Sequence, residues 1–483
     1  MYLRSLYYWN KYYYLLYFFL STSILAGVFY LYNTFDETDV SFRLYTIISL
    51  FNTQVVIGLD MISFFFILLT SIIIPLCILF NYNLNISTSD KKIFLLLFIV
   101  IELLLIQVFL VLDLVWFYIL FEFLLMPFYI VIVLNNVNVK IVNKKETNRK
   151  INAFLLLFFY TIISSFFMII SIFFIYLSTG TTSIPLLSFS VFPEILENIL
   201  WLCIFISFSI KVPILPFHIW LPEAHVESPT EASVILAAII LKIGAYGIIR
   251  ILIPIFTSAT IYFCNFVWLL SICTVIYSGM NAMIQIDIKR IIAYASIGHM
   301  NIGMLGLFSL DLDSICGGYL LMIGHGFVSG GLFFLIGVIY NRLHNKNINY
   351  INGLMHLVPS LCVVFFILIL CNNALPGTVN FIGEIIILNI GFKKNIYFFF
   401  IAFAFGIFIT SIYGFFLCNK ILYGMPLKDT FSKSIKDLSI IEFCVFLPII
   451  LWVIFLGLCP NFIIETLKRD LLCFSNLKYI YLY

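Results

Sequence analysis

The sequence predicts an all-α integral membrane protein of about 13–14 transmembrane helices, two of them discontinuous. Three observations lead there. Hydrophobic residues make up 63% of the 483-residue chain and charged residues 10%, with a mean hydropathy of +1.14. A soluble domain is about a quarter charged, so this chain has too little charge to clothe a water-facing surface. Apolar stretches of bilayer length, about 20 residues, recur along almost the whole sequence. Two of those stretches are interrupted by proline and asparagine where a spanning helix should be continuous.

Taken in order, the spans fall near 13–33, 59–80, 93–112, 114–134, 152–177, 198–220, 231–253 and 260–282. Others follow near 291–309, 315–340, 359–393, 396–418 and 441–463. Residues 40–58 are a weaker candidate, short and rather polar, for a degenerate additional helix. The sixth span carries Lys211-Val212-Pro213, then Pro216 and His218. The eleventh is interrupted by Asn372-Asn373 and Leu375-Pro376-Gly377-Thr378. Proline removes a backbone donor and clashes with the preceding turn. At bilayer depth the freed carbonyls must be met by neighbouring helices or by water in a cavity. Both breaks fall fourth in a five-helix unit read over spans three to seven and eight to twelve, which points to a repeated transporter architecture. The chain then divides into N-terminal helices (1–92), a first repeat (93–255), a second repeat (256–423) and a C-terminal helix and tail (424–483).

Lys and Arg in short loops set orientation. Lys91-Lys92, the segment Lys140 to Lys150, Lys289-Arg290, Arg342 to Lys346 and Lys433 to Lys436 all fall on one face, with Arg4 and Lys11 joining them at an odd span count. The acidic loop 221–230 is the exception there. This basic face is expected to be the matrix side. The net charge of +3 is spread through loops with no basic block between exposed aromatics, which argues against nucleic-acid binding. The 11 cysteines stand singly in apolar segments with no CxxC pair, the pattern of small hydrophobes rather than of a metal or disulfide framework. A composition of 54 Phe and 28 Tyr against 24 Gly and 14 Pro suits an AT-rich organelle genome. No amphipathic presequence opens the chain, consistent with synthesis inside the organelle.

A charge at the centre of a spanning helix costs about 2.5–3.5 kcal/mol on insertion scales. Residues held there against that cost are functional candidates. Glu102 lies in the third span, Glu122 in the fourth, Lys211 in the sixth, Lys242 in the seventh and Glu384 in the eleventh, while His299 and His325 occupy the ninth and tenth. Carboxylate, amine and imidazole each bind one proton reversibly, and desolvation disfavours the charged form of each. Opposite charges about 4 Å apart interact by roughly 4 kcal/mol at an effective dielectric of 20, so moving Glu122 towards Lys211 would switch its proton affinity. Each residue also has a structural reading. Glu122 and Lys211 would serve as a static helix-pinning pair, Lys242 would snorkel, Glu384 would cap broken backbone, and Glu102 would be a satisfied structural acid. His325 sits among Gly324, Gly326, Ser329, Gly330 and Gly331, a run that permits close helix packing or leaves room for water. His218 and His225 are placed to shape the mouth of a water path, whereas His344 and His356 lie in a polar loop. No phosphate loop, nucleophile elbow or haem-attachment motif is present, and two histidines with scattered Glu do not make a metal site.

The stretch KVPILPFHIWLPEAHVESPTEASVILAAIILKIGAYG (211–247) resembles the signature of the antiporter-like subunits of respiratory NADH–ubiquinone oxidoreductase. So do LDLVWFYILFEFLLMP (112–127), QIDIKRIIAYASIGHMNIG (285–303), HGFVSGGLFFLIG (325–337) and LPGTVNFIGE (375–384), covering roughly 60–420. Within the family the sequence is similar to the chain-4 paralogue group, which carries Glu on its proton-exit helix. The resemblance implies fourteen helices, two inverted five-helix repeats and a hydrated mid-membrane axis joining a half-channel from each side. It implies Glu122 as the carboxylate paired with Lys211, Lys242 as central relay, His299 and His325 as bridge, and Glu384 as outlet to the intermembrane space. It also implies no redox centre or cofactor in this chain, with flavin, iron–sulfur clusters and ubiquinone in other subunits. Its expected partners are membrane lipids and other membrane-arm subunits, including antiporter-like chains 2 and 5. The expected place is the mitochondrial inner membrane. The family has two helices before its GLDMISF-like segment, where this sequence has one convincing span. Two alternatives stay open: a subunit of a multisubunit cation/proton antiporter, and a structural membrane-arm subunit with static charges.

Overall fold

A computed structural model of the chain describes residues 2–33, 42–50, 53–82, 88–134, 144–424 and 436–473. Helix α1 (Tyr2–Asn33) leads to an antiparallel hairpin, β1 (Arg43–Leu50) and β2 (Thr53–Leu59). Then come α2 (Met61–Asn81), α3 (Thr88–Leu110), and a pass made of two short helices, α4 (Leu114–Phe123) and α5 (Leu125–Leu134). After α6 (Lys144–Thr179), the single turn α7 (Ile184–Leu187), α8 (Glu194–Lys211) and α9 (Trp220–Glu227), one pass runs from Thr230 to Ile255. It comprises α10 (Thr230–Ile235), a π turn (Leu236–Ile240), α11 (Leu241–Gly247), a second π turn (Ile248–Leu252) and α12 (Ile253–Ile255). The remaining helices are α13 (Thr257–Ile284), α14 (Ile288–Leu307), α15 (Leu312–Leu343), α16 (Pro359–Asn372), α17 (Val379–Lys394), α18 (Ile396–Leu422), α19 (Ile440–Leu458) and α20 (Asn461–Cys473).

Among the described residues, ten segments are long and apolar enough to cross a membrane. With α8, α14 and the α16–α17 pair, which are shorter or more polar, the described residues make thirteen passes. Burial sorts them. The pass 230–255 and most of α2 and α15 are buried along their length, whereas α1, α6, α13, α18 and α19 present Phe, Ile and Leu outwards. In a bilayer those outward side chains meet lipid at no hydrophobic cost, and association rests on close packing instead.

The structure departs from the sequence expectation in three places. Residues 43–59 form a hairpin and not a degenerate helix. Thr46, Ile47, Val55, Val56 and Ile57 are β-branched residues that fit a pleated surface. The β2 strand also bridges to the end of α3, where Leu112 N–H donates to Val56 O at 2.9 Å. Asp60 then opens α2 with a capping box to Ser63. The fourth pass is broken at Leu124, beside Glu122. Pro127 explains it, since its ring clashes with the carbonyl four residues earlier, that of Phe123. The third departure is the pair of π turns in the pass 230–255. Of the basic segment 135–151, the part from Lys144 begins α6, and 135–143 lie outside the described residues.

Candidate functional site

Lys211 is the last residue of α8, buried, and its Nζ lies 4.2 Å from the centroid of the Phe121 ring. The chain unwinds after it, as the prolines require, and the freed groups are met from several sides. Trp220 Nε1 donates to Ile210 O at 2.9 Å. Asn301 Nδ2, from α14, donates to Ile297 O at 2.8 Å and reaches Pro213 O at 3.3 Å. Glu122 is the neighbour of Phe121, half-buried, and its Oε1 has no hydrogen-bond partner among the described residues. A cavity of about 730 Å³ bounded by α4, α5 and α6 reaches this carboxylate between Tyr118, Met126, Tyr129 and Phe158. Lys211 thus stacks on the ring beside Glu122, and no ion pair between the two is formed within 4.0 Å among the described residues.

Gly244 sets the distance from this break to the next charge. A Cβ there would stand 2.7 Å from Val212 Cγ2 and 3.0 Å from Lys211 Cβ, so only glycine lets α11 lie directly against the unwound segment. Two residues earlier, Lys242 is fully buried and donates from Nζ to Ala237 O at 2.6 Å. Ala237 lies in the first π turn, where Leu241 N–H reaches back to Leu236 O. A π turn closes its bonds over five residues instead of four, and a carbonyl oxygen has two lone pairs. The widened turn therefore supplies a lysine with an acceptor from its own helix. Lys242 does not snorkel.

In the second half, His325 of α15 is buried with neither ring nitrogen hydrogen-bonded among the described residues. Its ring stacks on that of His299 with centroids 5.4 Å apart and planes at 29°. It also lies within electrostatic reach of Lys242. His299 Nδ1 stands 3.4 Å from Glu384 Oε1, too long and too poorly aimed for a settled hydrogen bond. Glu384 sits in α17, one turn past its start, after the break at 373–378. That break is stitched by Asn380 Nδ2, which donates to Cys371 O at 3.2 Å. The glycines flanking His325 serve packing: a Cβ at Gly324 would meet Val379 Cγ1 at 2.3 Å.

The structure buries Lys211, Lys242, His325, His299 and Glu384, stacks His325 on His299 and sets His299 beside Glu384, with the half-buried Glu122 next to Phe121, the ring that Lys211 overlies. Glu102 stands apart. It is fully buried in α3 with both oxygens unpartnered among the described residues, and Cys77 of α2 is within its electrostatic reach. His218 is buried against the Tyr277 ring at 5.0 Å. His225 stacks on Phe333 at 4.5 Å. Among the described residues no group of His, Cys, Asp and Glu is arranged to hold a metal.

Sequence reading passed over further buried charges, Arg250, Glu231 and Lys289 among them. Arg250, fully buried, pairs with Asp60 at 2.5 Å and stacks over Phe42 at 4.6 Å. Glu231 and Lys289 are 1% and 2% exposed. Each lies near the end of its helix, where a charge looks solvated in a linear sequence. Only the docking of other helices buries it.

The chain has relatives among known proteins. Residues 111–410 match the family model described as NADH:quinone oxidoreductase/Mrp antiporter, transmembrane. A protein of Chondrus crispus named NADH-ubiquinone oxidoreductase chain 4 is 41% identical over 411 residues, 85% of this chain and 81% of that protein. Among solved structures, a chain of respiratory complex I from Thermus thermophilus superposes with a TM-score of 0.82 at 24% identity, covering 95% of this chain and 92% of that one. A chain of the Mrp complex from Dietzia sp. gives 0.83 at 16% identity, covering 98% and 94%. At those identities the two structures speak for the fold.

Proposed function

Because this chain belongs to the NADH:quinone oxidoreductase/Mrp antiporter transmembrane family, we propose that it carries protons as a membrane-arm subunit of an NADH:ubiquinone oxidoreductase. The path runs Glu122, Lys211, Lys242, His325, His299, Glu384. The observation that carries the reading is a run of buried groups: a lysine perched on a backbone carbonyl, one histidine stacked on a second, and that second histidine beside a carboxylate. Static ion pairs would be closed by strong mutual bonds. Here the ring nitrogens and the head carboxylate are left open, so a proton can arrive without first breaking a salt bridge.

Electrostatics gives the transfer its direction. Like charges about 5 Å apart repel by roughly 3 kcal/mol at an effective dielectric of 20, so protons on the stacked rings of His325 and His299, 5.4 Å apart, disfavour each other. Protonating one end of the series pushes the next proton along. Glu384 receives it and releases it towards the face opposite the basic loops, the intermembrane space. Electrons pass from NADH through flavin and iron–sulfur centres to ubiquinone in other subunits, and that energy reaches this chain mechanically or electrostatically; its neighbours in the arm are antiporter-like chains 2 and 5. The compartment is the mitochondrial inner membrane, the chain being translated from an AT-rich organelle genome.

The likeness to an Mrp complex fold favours one second reading, a cation/proton antiporter subunit. A mild native gel of the membranes, stained for NADH oxidation and followed by mass spectrometry, separates the two. Migration with a large NADH-oxidising band supports the first. Migration in a smaller assembly with sodium-dependent transport overturns it. In the assembled complex, Glu384→Gln should cut proton pumping coupled to NADH oxidation, and unchanged pumping removes Glu384 as outlet.

A further inference from the structure

Glu231 is a buried acid that the path above does not use. It lies in the first turn of the helical pass that carries Lys242, eleven residues earlier. Thr230 Oγ1 donates to its Oε2 at 2.9 Å, and its Oε1 is buried with no hydrogen-bond partner among the described residues. A carboxylate kept dry with one oxygen open is costly unless it binds something. The groups within its reach come from three elements. Lys289 of α14 lies within its electrostatic reach, Tyr14 of α1 and Cys77 of α2 are within reach as well, and Glu227 of α9 faces Lys289. The Lys289 ammonium is engaged elsewhere, donating to Ser228 O at 3.0 Å.

From this end a second buried group leads inwards. His225 is fully buried, and neither ring nitrogen has a hydrogen-bond partner among the described residues. It lies within electrostatic reach of both Lys289 and Lys242, and of His325 on the far side. Lys289, Arg290 and Lys346 place this end of the bundle on the basic face. Lys346 Nζ donates to Val226 O at 2.6 Å and Arg290 pairs with Glu223 at 2.9 Å, closing the rim around it.

We propose that Glu231 and His225 form a second proton-uptake branch from the matrix face, joining the axis at Lys242 and His325, separate from the Glu122–Lys211 branch. Glu231 takes a proton from matrix water and becomes neutral. Through intervening water the proton passes to His225, which becomes imidazolium, and Glu231 returns to a carboxylate that the Lys289 ammonium steadies. His225 then yields the proton to Lys242 or His325 and is neutral again. Charge and protons balance at each step. The branch rests on the reading that the axis carries protons, and its test separates the two.

The assay is proton pumping per NADH oxidised by the assembled complex in vesicles with the matrix face outwards. Parallel branches predict that Glu231→Gln and Glu122→Gln each keep part of the pumping, while the double variant falls by roughly tenfold or more. Glu231→Asp should restore pumping, which a purely steric role would not require. If Glu231→Gln has no effect even in the Glu122→Gln background, while Glu384→Gln still stops pumping, the branch is overturned and the axis stands. If Glu384→Gln also pumps normally, the axis reading falls with it. Should Glu231→Gln fail to assemble, a hydrophobic carbodiimide on the unaltered complex decides, since it modifies protonated carboxyls in apolar surroundings. An adduct at Glu231 supports the branch, and an adduct at Glu122 with Glu231 untouched overturns it.

Discussion

Lys242 donates to the carbonyl of Ala237, five residues back along the same pass. The ammonium is thus held by backbone rather than by a carboxylate. Removing it strands no buried acid, which is the usual reason that breaking a buried charge pair is so costly. Lys242→Met should therefore abolish pumping while changing stability by no more than about 1 kcal/mol. Thermal unfolding of the assembled complex, run beside the pumping assay, checks both halves. A large loss of stability would show that the lysine is structural.

His325 makes the opposite comparison. Its nitrogens have no hydrogen bonds to lose among the described residues, so its packing is that of an aromatic ring stacked on His299. His325→Phe should keep assembly and NADH-band intensity on a native gel, yet lower pumping. Normal pumping by that variant would remove His325 from the axis.

The glycines around His325 are not equivalent. A Cβ at Gly324 would meet Val379 at 2.3 Å and Asn380 Oδ1 at 2.7 Å, whereas one at Gly330 finds its nearest neighbour, Ile73 Cδ1, at 3.4 Å. Gly324→Ala should cost about 1–3 kcal/mol by overpacking. It should also lower pumping, because α17, which holds Glu384, must move away from α15. Gly330→Ala should behave like the unaltered chain in both thermal unfolding and transport. Equal behaviour of the two would mean that the α15–α17 contact yields more easily than its geometry says.

At the outer end, Arg250 and Asp60 join the pass 230–255 to the start of α2. Arg250→Met leaves Asp60 buried without this partner and should cost about 3–5 kcal/mol. Adding Asp60→Asn should recover part of that loss, because asparagine caps a helix about as well as aspartate. A double-mutant cycle on unfolding temperature measures the coupling. Additive losses would refute it.

Much of the fold was legible because bilayer length and hydropathy are strong, local signals. The two proline breaks after Lys211 and Asn372 were visible for the same reason, each carrying residues that a continuous spanning helix rejects. Pro127 was as plain in sequence but gave no companion asparagine or glycine, and the break beside Glu122 went unforeseen. The π turns have no residue signature. They follow from how 230–255 is clamped between α2, α8 and α15. Glu231 sits next to the acidic loop 221–230, where nothing local marks a buried acid, since its burial depends on helices such as α15, far away in the chain. The charged positions in mid-span were readable one by one. Their sequence in space, and the absence of an ion pair within 4.0 Å between Glu122 and Lys211, came only with the fold.

Each π turn in the pass 230–255 accommodates one residue more than an α turn would. One extra residue in a regular helix would rotate everything beyond it by about 100°, turning each packed side chain along the remaining length towards the wrong neighbour. Confined to a single turn, the same insertion becomes a local swivel. The segment Leu241–Gly247 lies between two such swivels, so its azimuth about the helix axis is set independently of the ends that anchor it. A lysine mounted there can be re-aimed by a small change in either turn, while both ends of the pass keep their packing against the neighbouring helices.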